Sequence, residues 1–186
     1  MIRFMLRTMV FLYVIGEIWG EMAAANDIAL LPFLALGFFC VIRPNGELEE
    51  IEWRDISLKD KVVTIRSEVS KTRTRRFVAL SENAVEWLKL CPTKSPSTRI
   101  VPFSFNVLRK KRRANWLTAR EGKMNWIHQG MRHTFCSCWL TKYEDVKKLL
   151  LMSGHSSPQM LWRNYYRAVE QSEAEKFWSI YPPHHF

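Results

Sequence analysis

The chain has 186 residues, of which 47% are hydrophobic and 13% aromatic, and this composition excludes intrinsic disorder and predicts one domain with a large core. Its formal net charge of +10, from 28 Lys and Arg against 18 Asp and Glu, favours a polyanionic partner such as DNA or RNA over a merely basic soluble protein. Its four cysteines form no C-x-x-C pair, which argues against a zinc site and predicts reduced packing thiols in a cytosolic protein.

Two apolar segments open the chain and imitate targeting signals. Residues 1–15 place two arginines before an apolar run but have no clean small-residue cleavage site. Residues 28–42 carry no charge, yet they are short of the roughly 20 residues that span a bilayer. We therefore predict two buried helices joined near Asn26 and Asp27, and no membrane partner. A membrane-associated basic protein is an alternative that rests on these segments alone.

A change of hydrophobic period predicts a small antiparallel sheet in the middle of the chain. After a turn that contains Pro44, residues 47–53 predict a short helical turn. Alternation over residues 62–67 and the run at residues 75–80 predict two strands. The connection between them, residues 70–74, is polar and basic, so the predicted hairpin has a cationic tip.

Two helices are predicted around a polar loop at residues 91–99. Ser81 is a candidate N-cap for a helix over residues 82–90. A second helix over residues 104–117 carries five consecutive cations, which fan around its axis and cannot all face one partner. A solvated face and a DNA backbone contact both fit this run. The five cations are Arg109, Lys110, Lys111, Arg112 and Arg113.

Helical patterns fill the last third of the chain. Residues 132–140 and 144–152 each predict a helix, and Gly154 is a candidate C-cap for the second. Ser157 and Pro158 then form a strong start signal for a third helix, with Ser157 as N-cap and Pro158 in the first turn.

A C-terminal tail from about residue 172 predicts one more short helix. Ser172 and Glu175 have the spacing of a capping box, which would open this helix. An apolar strip follows that could pack on the core of its own chain or dock on a neighbouring copy, and both alternatives stay open. The strip consists of Phe177, Trp178, Ile180 and Tyr181.

Three side chains in the last third have the chemistry to bind and attack a phosphodiester. Arg132, His155 and Tyr165 are set at intervals of 23 and 10 residues. An arginine fork binds two phosphate oxygens, a histidine moves protons near neutral pH, and a tyrosine can form a covalent bond to phosphorus. Such a set can act without a metal ion, because the arginine supplies the positive charge.

Four segments, in order along the chain, resemble the motifs of the tyrosine recombinase catalytic domain of the phage-integrase family. They imply Arg43, Lys71, Arg132 and His155 as catalytic residues, and the tyrosine downstream, Tyr165, as the nucleophile. The matching segments are residues 39–44 (FCVIRP), 70–76 (SKTRTRR), 130–135 (GMRHTF) and 151–158 (LMSGHSSP).

The resemblance implies a fold, a reaction and a set of partners. The fold is mainly α with a small antiparallel β-sheet, and residues 1–186 form a single catalytic domain that lacks the N-terminal core-binding domain of the family. The reaction cuts and rejoins DNA through a 3′-phosphotyrosine intermediate, with no metal, cofactor or ATP. The partner is double-stranded DNA, on which a homotetramer assembles from chains that are monomeric when free. The implied location is the cytoplasm of a prokaryote or phage host, on the nucleoid.

The resemblance also implies a role for each residue. Arg43 and Arg132 would clamp the scissile phosphate and stabilise the charge that grows in the transition state. Tyr165 would attack in line, and Lys71 would protonate the leaving 5′-oxygen. His155 would hydrogen-bond the phosphate and help to position the tyrosine. The positive charge of the basic hairpin, with Arg73 and Arg75, and of the five cations of residues 109–113, rather than the resemblance, makes these residues candidates for contacts with the DNA backbone.

The chain departs from the family pattern at three places. Gln129 stands where the family usually has a histidine, and the adjacent His128 is a candidate to replace it, because glutamine cannot take a proton. The usual acidic residue after the first arginine lies one position late, at Glu47. Tyr166 competes with Tyr165 for the role of nucleophile, and a helix would place the two about 100° apart. A DNA-binding remnant without turnover is therefore the second reading of the chain.

Overall fold

The structure is a computed structural model that describes residues 28–92, 94–101, 129–166 and 168–182. These residues form a mainly helical body with one small antiparallel sheet, which confirms the predicted fold class. The helices are α1 (Leu31–Phe39), α2 (Glu82–Lys89), α3 (Gly130–Tyr143), α4 (Val146–Ser153), α5 (Pro158–Tyr165) and α6 (Gln171–Trp178). The strands are β1 (Ile56–Ser57), β2 (Val62–Ile65) and β3 (Arg76–Ala79), and 3-10 turns lie at Ile28–Leu30, Leu48–Glu50 and Trp53–Asp55.

Some of the predictions fall outside the described residues. They are the first of the two N-terminal helices, the helix over residues 104–117 with its five cations, and the position of His128. For these segments the expectation from the sequence stands alone.

Helix α1 lies in the core and is buried along its whole length. Its residues are apolar on every side, which is typical of a helix enclosed by protein. In the part of the chain that the structure describes, no helix is long and apolar enough to cross a membrane. Gly37 allows α3 to approach closely, since a Cβ atom there would lie 2.7 Å from the sulfur of Met131. This contact holds the first turn of α3, and therefore Arg132, against the end of α1.

The sheet has the strand order β1-β2-β3, and both pairs are antiparallel. Ile65 pairs with Arg76, so the hairpin is confirmed, but its connection is residues 66–75 and is longer than the predicted residues 70–74. Side chains alternate along β3, where Arg76 and Val78 are buried and Phe77 is 56% exposed. Strand β1 was not predicted, because its two residues are too few to show a period.

The helix boundaries predicted at Gly154 and Pro158 are confirmed, whereas α1 is shorter than the predicted residues 28–42. Helix α4 ends at Gly154, whose φ of +64° is the left-handed conformation that glycine adopts at low cost. Helix α5 begins at Pro158 directly after Ser157, as the sequence predicts, although the Ser157 side chain makes no capping hydrogen bond. Helix α3 is longer than predicted and starts after Gln129, whose φ is +57°.

The predicted capping box in the tail is wrong. Helix α6 begins at Gln171, and Glu170 occupies the N-cap position. The Glu170 carbonyl accepts hydrogen bonds from the amides of Glu173 and Ala174, so the helix has already started before Ser172. Ser172 is therefore an exposed residue of the first turn rather than the cap.

The apolar strip of the tail packs on its own chain in this structure. The ring of Phe177 lies 5.2 Å from that of Phe39, and the ring of Trp178 lies 5.6 Å from that of Phe135, measured between centroids. The Trp87 indole also donates to the Ile180 carbonyl at 3.1 Å. In this structure Phe177 and Trp178 complete the core of the same chain, while Tyr181 is exposed. Docking of the strip on a neighbouring copy stays a prediction.

The cysteines are free thiols, as predicted. Cys40, Cys136 and Cys138 are buried and Cys91 is half-buried. Burial raises the pKa of Cys91 and of Cys136 to about 12, so both thiols are protonated at neutral pH. The described residues contain no cluster of His, Cys, Asp and Glu that could hold a metal ion.

Candidate active site

Arg132 lies in the first turn of α3 and is only 2% exposed. Its Nη1 donates to the carbonyl of Val41 at 2.7 Å, and its Nη2 donates to the carbonyl of Ser153. Both acceptors are uncharged, and burial lowers the pKa of the guanidinium from its ordinary value. The side chain is thus a buried cation held between the segment after α1 and the end of α4. Charge in this setting is costly unless an anion approaches it.

His155 follows the end of α4 and lies against Arg132. Its Nε2 is 3.3 Å from Arg132 Nη2, and its Nδ1 is 2.7 Å from the hydroxyl oxygen of Ser153. Because a guanidinium has only donors, Nε2 must accept and Nδ1 must carry the proton that is donated to Ser153. Burial, followed by the charges of Arg132 and Arg43, lowers the pKa of His155 to about 4. The imidazole is therefore neutral at neutral pH.

Tyr165 is the last residue of α5 and is 4% exposed. Its ring centroid lies 5.3 Å from that of His133 and 6.1 Å from that of His155, so two imidazoles contact the phenol. Leu161, one turn earlier, shares the buried face of the helix and anchors the tyrosine. Burial raises the pKa of the phenol, and the charge of Arg132 opposes this shift only in part.

Tyr166 lies beyond the end of α5 and has an extended backbone. Its half-buried ring packs edge-on against Trp162, with the centroids 4.2 Å apart. The two tyrosines therefore diverge because the helix ends between them, and not through the helical register that the sequence analysis assumed. Which of them is the nucleophile stays a prediction.

A buried carboxylate, that of Glu47, holds the other half of the site together. Glu47 is 1% exposed and accepts from Arg43 Nη1 at 2.8 Å and from the Arg43 amide at 3.2 Å. It also pairs with the Nη1 and Nη2 atoms of Arg76 and accepts from the amide of Lys71 at 3.3 Å. Burial opposes ionisation, yet the hydrogen bonds and charges of Arg76 and Arg43 leave the pKa of Glu47 below its ordinary value. One carboxylate thus fixes both Arg43 and the hairpin of Lys71.

Arg76 is a residue of the site that the sequence analysis did not identify. Besides its pair with Glu47, it donates through Nε to the carbonyl of Met152 at 2.9 Å and through Nη1 to the Ser70 hydroxyl at 3.3 Å. It also packs beside Gly154, where an added Cβ would lie 3.6 Å from its side chain. The alternation of β3 could have revealed it, because Arg76 shares the inward face with Val78.

The remaining candidate residues that the structure describes are exposed, apart from Tyr166. Lys71 lies in the hairpin connection with its side chain in solvent, while its backbone is bound to Glu47. Arg73 has a φ of +54°, and the guanidinium of Arg75 lies 5.0 Å from the ring centroid of Phe77. Gln129 is exposed at the N-cap of α3. The structure therefore places four predicted residues close enough to affect one another's pKa values: Arg43, Arg132, His155 and Tyr165. The cations of the hairpin lie at the surface of the protein.

A comparison with known families finds a match that covers most of the chain. The model of the family described as "Phage integrase family" matches residues 17–172. None of the curated proteins matches the chain.

Several solved structures share the fold. The XerA recombinase matches with a TM-score of 0.60 and 18% identity over 88% of this chain and 61% of its own. The catalytic domain of the bacteriophage HP1 integrase matches with a TM-score of 0.54 and 15% identity over 89% of this chain and 86% of its own. The Tn1549 transposon integrase, in complex with a circular intermediate DNA, matches with a TM-score of 0.52 and 17% identity over 77% of this chain and 55% of its own. The chain thus spans less than two thirds of the first and third of these proteins.

Removing the negative charge of Glu47 should strongly reduce the stability of the protein. Glu47→Gln keeps the shape of the side chain but leaves the charges of Arg43 and Arg76 without their buried partner, so we expect the free energy of unfolding to fall by about 3 kcal/mol. Denaturant titration measures the loss. The control is Glu82→Gln, which breaks the exposed pair with Lys61 and should cost less than about 1 kcal/mol. Equal losses in the two variants would contradict the role assigned to Glu47.

The lowered pKa of His155 predicts a component of acid sensitivity. Above the unfolded-state pKa of about 6.5 the imidazole is neutral in both states, and stability is not affected. As the pH falls from 6.5 towards about 4, the unfolded chain binds a proton that the folded chain does not, so stability decreases. His155→Gln keeps an acceptor for Arg132 and removes this titration. The stability difference between the wild type and this variant should change with pH only in that window, and a pH-independent difference would refute the assignment.

Proposed function

The chain belongs to the phage integrase family, and from that premise we propose that it cuts and rejoins DNA at specific sites through a 3′-phosphotyrosine intermediate. The observation that carries the proposal is the buried cation Arg132, which lies against His155 and alters the pKa of Tyr165. A guanidinium without a carboxylate partner among the described residues, next to a buried tyrosine, suits an anionic phosphodiester. The proposal covers the catalytic domain alone.

Two arginines bind the scissile phosphate in this proposal. Arg132 uses three of its five N–H groups, for the carbonyls of Val41 and Ser153 and for His155, so two donors remain for non-bridging oxygens. Glu47, whose single negative charge is shared with Arg76, pairs with Arg43. Arg43 also lies close enough to Arg132 to lower the pKa of Arg132. Their joint positive charge stabilises the pentavalent transition state, in which negative charge grows.

The bond changes follow from this arrangement. The oxygen of Tyr165 attacks phosphorus in line and forms the phosphotyrosine bond, while the bond from phosphorus to the 5′-oxygen breaks. Lys71 gives a proton to the leaving 5′-oxygen, and its exposed position on the hairpin lets it reach DNA bound outside. The reverse steps rejoin the strand. The energy of the broken bond is kept in the phosphotyrosine, so no ATP is needed.

Double-stranded DNA is the partner that the charge favours. The net charge of +10 and the exposed cations Lys71, Arg73 and Arg75 supply phosphate contacts around the site. Residues 109–113 would add backbone contacts. We include in the proposal a homotetramer on DNA that forms from monomers, as the family pattern implies.

A DNA-binding remnant without turnover is the second candidate, and Gln129 is the observation that favours it. Gln129 stands at the entrance to α3, where the family usually has an imidazole, and it cannot exchange a proton. DNA binding would survive in such a protein, since the cations of the hairpin do not depend on Gln129.

The nucleophile can be identified with nicked DNA duplexes of randomised sequence, from which a cleaved end diffuses away and traps the covalent intermediate. We expect the full chain to form an adduct that survives denaturant and is removed by protease. Tyr165→Phe should lower its formation at least ~10³-fold, because the attacking oxygen is gone.

The matched control is Tyr166→Phe, which removes the neighbouring hydroxyl and should leave adduct formation intact. If Tyr166→Phe abolishes the adduct and Tyr165→Phe does not, the nucleophile is Tyr166. If the wild-type chain forms no adduct on any duplex of the pool, the remnant is the correct reading.

Gln129→His tests whether the departure from the family pattern is a defect. For a competent enzyme we expect the rate of adduct formation to change by less than about 10-fold, because another group already takes the tyrosine proton. For a remnant impaired at this position, adduct should appear only in the variant. Quantifying adduct against time on the same duplex pool separates these outcomes.

A further inference from the structure

The proposed reaction leaves one proton without an acceptor. Tyr165 is 4% exposed, and burial raises the pKa of its phenol, so the hydroxyl is protonated at neutral pH and has little contact with water. An attacking phenol must lose this proton as its oxygen bonds to phosphorus. A side chain within reach of Tyr165 therefore has to accept it.

Two neighbours of the site are poor acceptors. His155 already accepts from Arg132 through Nε2 and commits its Nδ1 proton to Ser153, so it has no nitrogen available for the phenol. Gln129 has an amide side chain, which does not take up a proton. Among the residues that the structure describes, which do not include His128, these two exclusions leave the second imidazole that contacts the tyrosine.

That imidazole belongs to His133, the residue that follows Arg132. Its ring centroid lies 5.3 Å from that of Tyr165, nearer than the 6.1 Å of His155, and the two ring planes are inclined by 47°. His133 is half-buried in the first turn of α3, and its amide donates to the Gln129 carbonyl at 3.0 Å. It therefore lies one helical turn after Gln129.

We propose that His133 is the general base that accepts the proton of Tyr165. The inference rests on the proposed function. A lone pair of the His133 ring takes the hydroxyl proton while the Tyr165 oxygen forms its bond to phosphorus and the 5′-oxygen leaves with a proton from Lys71. In the rejoining step the 5′-hydroxyl returns its proton to Lys71, and His133 returns the other to the tyrosine, so no proton is gained or lost over the cycle.

The groups around this pair come from three elements. Arg132 and Cys136 lie on α3 itself and act on the pKa of Tyr165, which is on α5. His155, on the segment between α4 and α5, also contacts the phenol, and a proton taken up by His133 would lower the pKa of His155. Arg43, from the segment after α1, adds positive charge to the same cluster. The approach of a phosphate would offset the charge of both arginines.

The test measures adduct formation by the full chain on the nicked duplexes of randomised sequence, with two forms of the scissile bond. One form has the ordinary 5′-oxygen, and the other has sulfur in its place, which leaves without being protonated. His133→Phe keeps a ring against Tyr165 and removes the nitrogens, and we expect a loss of at least about 100-fold on both forms. The comparison variant Lys71→Ala should lose activity only on the oxygen form, because its role is at the leaving group.

A purely structural role for His133 is separated by chemical rescue. His133→Ala opens space beside the phenol, and added imidazole should restore adduct formation at least about 10-fold, with a rate that rises with the fraction of neutral imidazole. Thermal unfolding of both variants reports whether they are folded. Folded variants that retain wild-type rates, or a His133→Phe defect that disappears on the sulfur form, would overturn the proposal for His133 while the proposed function stands. No adduct from the wild-type chain would overturn both.

Discussion

The site depends on the buried carboxylate of Glu47. It binds Arg43 through side chain and backbone, pairs with Arg76 on β3 and accepts the amide of Lys71, so it connects the segment after α1 to the hairpin. Arg76 carries the connection on to the carbonyl of Met152 at the end of α4. Because a buried charge is costly without its partners, losing one of these contacts should weaken the others. Residues far apart in sequence are thereby held in one geometry.

Arg132, unlike Arg43 and Arg76, has no carboxylate partner among the described residues. It donates only to two carbonyls and to a neutral imidazole. The single negative charge of Glu47 neutralises one of the two positive charges of Arg43 and Arg76, whereas the charge of Arg132 stays available to an anion. The same charge lowers the pKa of His155 and opposes the rise in the pKa of Tyr165. Free protein and phosphate-bound protein should therefore differ in the proton affinities of these groups more than in their fold.

The local elements follow from short sequence signals, and the failures have local causes. Gly154 and Pro158 mark a helix end and a helix start because each has a backbone restriction that few other residues share. The capping-box pattern at Ser172 predicted the wrong start for α6. The pattern depends on side-chain types alone, whereas the start of the helix depends on which carbonyl accepts from the following amides, here that of Glu170. The hairpin was found by its alternation, but the burial of Arg76 within it was missed because a basic residue in a strand is usually exposed.

The sequence by itself determined the fold class and the family, because motif order and helix and strand periods are properties of the chain. The same motifs indicated the five candidate catalytic residues Arg43, Lys71, Arg132, His155 and Tyr165. Only the tertiary structure decided which side chains meet: that Glu47 binds Arg43 and Arg76, that His155 presents an acceptor to Arg132, and that His133 lies against Tyr165. These contacts join α3, α5, the hairpin and the segment after α1. Their distances depend on how the core packs around α1, which no local pattern encodes.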